Sequence, residues 1–368
     1  MTGFEVKCTD RASAARRGLL RTTHGDVQTP AFMPVGTAGA VKGVTPEQLR
    51  NLGAEIILAN TYHLMLRPGV DPIERLGGLH KLMGWDGPIL TDSGGYQVFS
   101  LSSLTKIDDD GIEFASHVDG AKVYLDAEEA TRIQNRFGCD IAMCLDLCPP
   151  FGCEQSELAE AVNRTIRWAK RCKDTHHNAN QMLFGITQGG IDLEMRQRCA
   201  KELVALDFDG YAIGGLAIGE GHKNMVKTVR HTAPLLPQDK PRYLMGVGMP
   251  ADIIAAVLAG VDMFDCVLPT RNARNAYAFT MAGPLRMRNN EHICNAQPIE
   301  KDCDCYACKH FSRAAIRHFF NVREMLGPIL TTIHNLRFYQ RLMSEIRRHI
   351  EQSTLAEMFH HQHWKAQS

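Results

Sequence analysis

The 368-residue sequence is short of the features that would announce a function class directly. Lysine plus arginine total 41 and aspartate plus glutamate total 41, so the formal net charge is zero. No global field therefore marks the chain as a binder of nucleic acid or of a membrane surface. No apolar run is long enough to span a bilayer, and the first seven residues lack the apolar core of a signal peptide. Both absences predict a cytoplasmic chain without a membrane partner. There is no low-complexity tract, and the only internal regularity is an alternation of short apolar runs with helical stretches.

What is present suits a large buried core: 44% hydrophobic and 22% charged residues. The length allows one large α/β domain with an appendage, or two ordinary domains. Twelve cysteines without a secretion signal argue for reduced thiols. Cys139, Cys144, Cys172 and Cys199 lie singly in apolar surroundings and read as buried small hydrophobes. Charge is uneven locally: eleven arginines fall between Arg271 and Arg348, which leaves room for an anionic partner.

Taken in order, the chain shows a turn at Gly25-Asp26 and an apolar strand over 31–35. Thr45-Pro46-Glu47-Gln48 then has the N-cap threonine and N1 proline of a helix start. Further short strands read at 55–60, 87–92, 140–145, 183–187, 211–213, 243–245 and 262–264. Helical stretches separate them at 71–83, 127–137, 157–173, 193–206, 224–231 and 251–258. Residues 106–125 alternate polar and apolar around Asp119-Gly120, as a β-hairpin does. Eight apolar runs too short for helices are what parallel strands covered on both faces look like. The pattern predicts an α/β (β/α)8 TIM barrel, with a doubly wound open sheet as the runner-up. Beyond the last strand, 278–288 reads as another hairpin, 289–302 as polar loop, and 312–320 and 330–351 as helices.

In a barrel, function sits at the carboxyl-terminal strand ends. Here those ends are Asn60-Thr61, Asp92 to Gln97, Asp146, Gln188-Gly189-Gly190, Gly214-Gly215-Leu216, Gly246-Val247-Gly248 and Asp265. The set points to a site for a flat polar ligand. Two carboxylates can perform a double displacement at a glycosidic bond, and a third can accept the paired N–H donors of a guanine edge. Gln188 can donate or accept beside it, Gly214 and Gly215 allow close backbone approach, and Tyr96 can stack on a base. Asp265 leads directly into Pro269, Arg271 and Arg274, read as a loop with planar cations for phosphate or base edges.

A second constellation is Cys303-Asp304-Cys305-Tyr306-Ala307-Cys308. Three thiolates and one imidazole complete a tetrahedral zinc shell with no open position. The spacing leaves His334 in competition with His310, His318, His349, His360 and His361 for the fourth place.

Several of these stretches carry a family resemblance: 92–100 (Asp-Ser-Gly-Gly-Tyr-Gln-Val-Phe-Ser), 184–190, Gly214-Gly215-Leu216-Ala217, 264–271 (Phe-Asp-Cys-Val-Leu-Pro-Thr-Arg), and the Cys-x-Cys-x-x-Cys followed by Thr332-Ile333-His334-Asn335. From about residue 5 to 352, in the same order, the chain resembles bacterial-type tRNA-guanine transglycosylases. The resemblance implies a barrel over 1–288, with N-terminal strands and a hairpin insertion near 104–126, and a zinc-binding helical subdomain over 289–368 packed on it. It implies a homodimer that acts on the tRNA anticodon loop. The wobble guanine of GUN-anticodon tRNAs (Asp, Asn, His, Tyr) would be replaced by a 7-deazaguanine, as a step towards queuosine. Carried onto this chain, Asp265 is the nucleophile and Asp92 the general acid/base. Asp146, Gln188, Gly215 and Leu216 hold the base between Tyr96 and Met245, with Glu220 behind the Leu216–Ala217 peptide. Arg271 and Arg274 contact tRNA, and Cys303, Cys305, Cys308 and His334 hold one structural zinc.

The chain departs from that pattern twice. Leu147-Cys148-Pro149-Pro150 stands where bacterial members carry Glu-Cys-Thr-Pro, so the pocket has less negative charge. The expectation is that 7-aminomethyl-7-deazaguanine is accepted with a weakened preference over queuine. Ala276 stands where a glycine usually follows the asparagine, at a position that can require positive φ. Two other readings remain: a non-catalytic tRNA-binding accessory subunit, and a zinc-dependent barrel hydrolase. The presence of both Asp92 and Asp265 argues against the first. The position of the cysteines beyond the last barrel strand argues against the second.

Overall fold

The computed structural model describes residues 2–101 and 105–357. Residue 104 of the expected insertion, and His360 and His361, lie outside the described residues. An antiparallel sheet opens the chain: β1 (Gly3–Thr9), β2 (Arg16–Thr22) and β3 (Gly25–Thr29). Its second turn is Thr23-His24, two residues earlier than the sequence suggested; Gly25 and Asp26 already pair with Thr22 and Arg21.

The barrel strands follow. They are β4 (Ala31–Gly36), β5 (Ile57–Ala59) and β6 (Ile89–Thr91), then, after the inserted β7 (Thr105–Ile107), β8 (Gly111–Ala115) and β9 (Lys122–Asp126), β10 (Ile141–Met143), β11 (Met182–Thr187), β12 (Gly210–Ile213), β13 (Arg242–Leu244) and β14 (Met263–Cys266). The eight close in chain order, with β14 pairing β4 in parallel register, Phe264 opposite Phe32 and Asp265 opposite Met33. This is the (β/α)8 barrel. The insertion is a three-stranded antiparallel sheet rather than one hairpin; Asp119-Gly120 falls between β8 and β9, as expected.

Successive residues on each strand enter different cores. Ala31, Met33 and Val35 of β4 and Leu58 of β5 share the barrel interior with Met143, Phe184, Ile186 and Tyr243. Phe32, Ile57 and Ala59 pack outward under the helices. Leu20 and Val27 belong to the interior cluster, so the N-terminal sheet plugs the barrel floor.

The helices lie on the outside, and side chains cap the starts of α1 (Pro46–Asn51), α6 (Ala127–Phe137) and α8 (Leu193–Ala205). In chain order the helices are α1, α2 (Thr61–Leu64), α3 (Val70–Arg75), α4 (Leu79–Met83), α5 (Gly95–Leu101), α6, α7 (Gln155–Thr175), α8, α9 (Gly221–Thr232) and α10 (Pro250–Leu258). Thr45 accepts from the Gln48 amide at 3.2 Å while the Gln48 side chain accepts from the Thr45 amide, a reciprocal cap. Asp126 and Asp192 cap α6 and α8 from amides 2.7 and 2.9 Å away. The single helix expected over 71–83 is broken at Gly77-Gly78. Both adopt positive φ, and a Cβ on Gly78 would sit 2.9 Å from the Phe137 carbonyl oxygen.

After β14 come α11 (Leu268–Arg274), the hairpin β15 (Tyr277–Ala278) and β16 (Leu285–Arg286), α12 (Tyr306–His310), α13 (Arg313–Asn321) and α14 (Leu326–Gln352). The stretch carrying Arg271 and Arg274 is thus a helix, not a loop, because Pro269 initiates it rather than ending the strand. α14 packs against α11, α12, α13 and β4.

One buried ion pair fastens the floor. Arg16 of β2 donates to Asp262 from Nε at 2.9 Å and from Nη2 at 2.6 Å, and also to the Gln238 and Lys240 carbonyls. Asp262 accepts the Arg242 amide at 2.7 Å as well. The side chains are 4% and 0% exposed, so each charge depends on the other. Asp262→Ala strands the guanidinium and should cost about 3–5 kcal/mol in urea unfolding. Asp174→Ala, which breaks an exposed pair with Lys170, should cost less than about 1 kcal/mol. Equal effects would refute the assignment of the floor's stability to this pair.

Candidate active site and metal centre

Three buried or half-buried carboxylates stand at the carboxyl-terminal ends of β6, β10 and β14. Asp92 follows β6. Its Oδ1 accepts the Thr61 amide at 2.8 Å, and its Oδ2 accepts from the Gln97 side chain at 2.7 Å and from Asn60. Burial raises its pKa to about 6, against the pull of the Asn60 and Thr61 hydrogen bonds; the negative charge of Asp265 raises it further. A carboxyl poised there can give and take a proton near neutral pH.

Asp265 is half-buried within β14. The Tyr243 hydroxyl donates to its Oδ1 at 2.6 Å and the Gly246 amide to the same atom at 2.7 Å. Oδ2 accepts no hydrogen bond from the described residues, which leaves its lone pairs available to an electrophile. Burial raises the Asp265 pKa, and these two donors work against it.

Asp146 follows β10. Ser93 donates to its Oδ1 at 3.2 Å and the Gln188 amide to its Oδ2 at 2.7 Å. Burial again raises its pKa, offset by those same donors. Gln188, 1% exposed, keeps a buried Oε1 without a partner among the described residues. It lies so close to the β12 loop that a Cβ on Gly214 would sit 2.8 Å from its Nε2, and one on Gly215 2.3 Å from its Oε1. Both glycines are required by this approach, and Gly215 also has φ of +66°.

The Leu216–Ala217 peptide is turned by Glu220, whose carboxylate accepts the Ala217 amide at 2.5 Å and the Ile218 amide at 3.0 Å. Glu220 is thereby a positioning group, with its acceptors engaged by its own loop. Leu216 is buried, Met245 is half-buried beside Gly246, and Tyr96, in the first turn of α5, is 49% exposed. Arg271 and Arg274 are exposed on α11; Arg274 donates to the Thr270 carbonyl at 2.9 Å. Leu147 is 6% exposed within the apolar core, and Cys148 is a buried thiol pushed up to about 12 by burial and by the charge of Asp146.

Some contributors went unassigned in the sequence. Asn60, Ser93 and Gln97 stood at strand ends with no stated role, and Tyr243 read simply as a strand residue. Arg196 gave no signal at all on a helical segment. It is fully buried and donates to the carbonyls of Gly190, Thr187 and Gly214 at 2.8, 2.9 and 2.8 Å, bracing the β11 and β12 loops together.

The second constellation assembles beyond the barrel. Cys303, Cys305, Cys308 and His334 are all buried, and their donor atoms lie within 4.8 Å of one another. His334 Nε2 donates to the Phe279 carbonyl at 2.7 Å, which leaves Nδ1 as the lone-pair nitrogen, 3.3 Å from Cys308 Sγ and 3.8 Å from Cys305 Sγ. Four donors so placed can hold a metal ion. His310 and His318, competitors in the sequence, are exposed.

A family model described as queuine tRNA-ribosyltransferase matches residues 10–367. A queuine tRNA-ribosyltransferase of Pelotomaculum thermopropionicum is 52% identical over 354 residues, covering 96% of both chains. One from Thiobacillus denitrificans is 50% identical with the same coverage. One from Nitrosomonas europaea is 53% identical over 348 residues, covering 95% of this chain and 93% of its own.

The Asp92 environment makes a stability prediction independent of any substrate. A carboxyl whose folded pKa is raised binds its proton more tightly when folded. Its contribution is fully present below the ordinary carboxylate pKa and is lost as pH rises through about 6. Asp92→Asn should therefore leave unfolding free energy nearly unchanged below pH 4 and raise it by roughly 2–3 kcal/mol at pH 8. Denaturant titrations at the two pH values check this; a variant less stable than wild type at pH 8 contradicts it.

Proposed function

The chain belongs to the queuine tRNA-ribosyltransferase family, and from that premise we propose the reaction it catalyses in detail. It is a pentosyltransferase of the queuosine pathway, a tRNA-guanine transglycosylase. In our reading it replaces the wobble guanine of GUN-anticodon tRNAs (Asp, Asn, His, Tyr) with 7-aminomethyl-7-deazaguanine, by double displacement through a covalent tRNA–aspartate intermediate.

The observation that carries this reading is the division of labour between two carboxylates. Asp265 has its donors on one oxygen and the other unengaged, while Asp92 holds a proton up to about pH 6. Oδ2 of Asp265 attacks the ribose C1′, the C1′–N9 bond breaks, and its electron pair leaves on guanine, protonated by Asp92. Asp92, now ionised, takes the N9 proton of the incoming base. That nitrogen attacks C1′ and releases Asp265. Two inversions retain the configuration at C1′.

The base would lie between Tyr96 and Met245. Asp146 would accept from its ring N–H and 2-amino group, while Gln188 and the Gly215 amide address its carbonyl. The Leu216 carbonyl, turned outward by Glu220, is the acceptor for an aminomethyl group. Leu147, next to Asp146 in the chain, carries no carboxylate where bacterial members have a glutamate, and from this we read a weaker preference over queuine. Arg271 and Arg274 suit the phosphates of the anticodon loop. An accessory-subunit reading has no support from a mouth in which both carboxylates are present and hydrogen-bonded.

Zinc fits the second cluster. Zn–S bonds of about 2.3 Å and Zn–N bonds of about 2.0–2.1 Å place tetrahedral donors roughly 3.6 Å apart. The S···N separations here are 3.3 and 3.8 Å. With four protein ligands the ion, one per chain, would be structural, joining the segment after β16 to α14. We further propose a homodimer, a cytoplasmic location, and a division between a catalytic barrel over 1–288 and a zinc-binding subdomain over 289–368.

Asp265→Asn keeps the shape and removes the charge. Base exchange on a GUN-anticodon tRNA, followed with radiolabelled 7-aminomethyl-7-deazaguanine and with queuine, should fall by several orders of magnitude while tRNA binding persists. The covalent adduct of wild type on denaturing gels should vanish; an adduct that survives assigns the nucleophile elsewhere. Cys305→Ala should release the zinc and expose residues 303–334 to proteolysis, because structural metal binding is folding free energy. Freshly purified wild type without zinc would sink that assignment.

A further inference from the structure

At the opposite end of the barrel from the carboxylates, three metal-ligating side chains meet from distant parts of the chain. His24 is the turn residue between β2 and β3, His80 lies on α4, and Asp140 immediately precedes β10. The Asp140 side chain is 0% exposed, that of His80 13% and that of His24 38%. His24 Nδ1 is 2.9 Å from Asp140 Oδ1 and His80 Nε2 is 3.2 Å from Oδ2. The two imidazoles stack, their centroids 3.7 Å apart and their planes 21° from parallel. All three donor atoms lie within 4.8 Å of one another.

The carboxylate is fixed by the backbone independently of the rings. The Ile89 amide donates to Oδ2 at 2.9 Å and the His24 amide to Oδ1 at 3.1 Å. Such backbone support orients a ligand before any ion arrives. Bonds of about 2.0–2.2 Å put tetrahedral N and O donors roughly 3.3 Å apart. Two of the three separations are already within a few tenths of that. Stacked imidazoles that both carried charge would repel, whereas one cation between the rings and the carboxylate replaces both ring protons.

We propose that His24, His80 and Asp140 form a second divalent-metal site. Two imidazoles and one carboxylate favour a first-row transition ion such as Zn2+, Co2+ or Ni2+ over Mg2+ or Ca2+. The exposed side of His24 leaves room for water in the remaining positions. The ion clips the β2–β3 turn to α4 and to the start of β10, a staple between the N-terminal sheet and the barrel floor. The site shares no residue with the cysteine cluster or the barrel mouth.

Cobalt(II) tests this, because the two sites differ in colour. Co2+ entering the cysteine cluster produces an intense thiolate charge-transfer band, while a histidine–carboxylate site shows only weak d–d absorption. Protein brought to one zinc per chain, enough for the cysteine cluster alone, should take up one further Co2+ per chain without the thiolate band, and its Tm should rise by about 2–4 °C. Both effects should disappear in His24→Gln, which retains an N–H donor for Asp140 and lies in an exposed turn, and in His80→Ala. No additional cobalt, or uptake and a Tm rise that persist in His24→Gln, would overturn the proposal.

Discussion

Closing a parallel sheet on itself leaves no free strand edge, and it obliges every strand to be apolar on both faces. In this chain the closing pair is β14 with β4, and that register carries Asp265 to the rim opposite Met33. Polar chemistry is thereby confined to where the strands end. Asp92, Asp146, Gln188 and the Gly214-Gly215 turn all lie at those ends, within hydrogen-bonding reach of neighbouring loops. The barrel's geometry thus selects the positions of the active groups before their identities matter.

Gathering carboxylates in a water-poor mouth is costly, and the structure offsets the cost differently for each. Asp92 receives three donors yet still titrates near 6, since burial and the charge of Asp265 outweigh them. Asp265 receives two, both on one oxygen. Further support for Asp92 would lower its affinity for the proton it must transfer. A donor on the second oxygen of Asp265 would quench the lone pairs that must attack carbon. The asymmetric provision of hydrogen bonds is what separates a proton carrier from a nucleophile here.

All eight barrel strands are legible in the sequence, because an apolar run of that length between two helical stretches is too short for a helix and too apolar for a solvated loop. Elements that depend on tertiary contact are not. α5 begins at Gly95, where the glycine is needed because a Cβ would meet the Asp146 carbonyl oxygen at 2.8 Å, so the sequence there looks like loop. α11 is obscured by Pro269, which ends strands and begins helices equally well. The thiol cluster is visible from its spacing alone, but the fourth ligand is not. What distinguishes His334 is its complete burial and its bond to the Phe279 carbonyl, neither of which spacing encodes. Arg196 is invisible for the same reason, since its three carbonyl partners come from two separate loops.

Backbone strain has also been placed beside function. Ala217 and Ala276 both have left-handed backbones, with φ of +59° and +58°. A Cβ in that region costs on the order of 1 kcal/mol, and the conformation persists only where neighbours enforce it. At Ala217 the enforcement is the Glu220 carboxylate, which grips two successive amides. At Ala276 it is a double tether: its amide donates to the Ala273 carbonyl at 3.1 Å, and its carbonyl accepts the Met287 amide at 2.8 Å. The first alanine fixes the direction of the Leu216 carbonyl, and the second fixes the exit of the helix that presents Arg271 and Arg274. The expectation from sequence that Ala276 occupies a glycine-type conformation is met. The helix and hairpin on either side hold Ala276 in that conformation and absorb its cost.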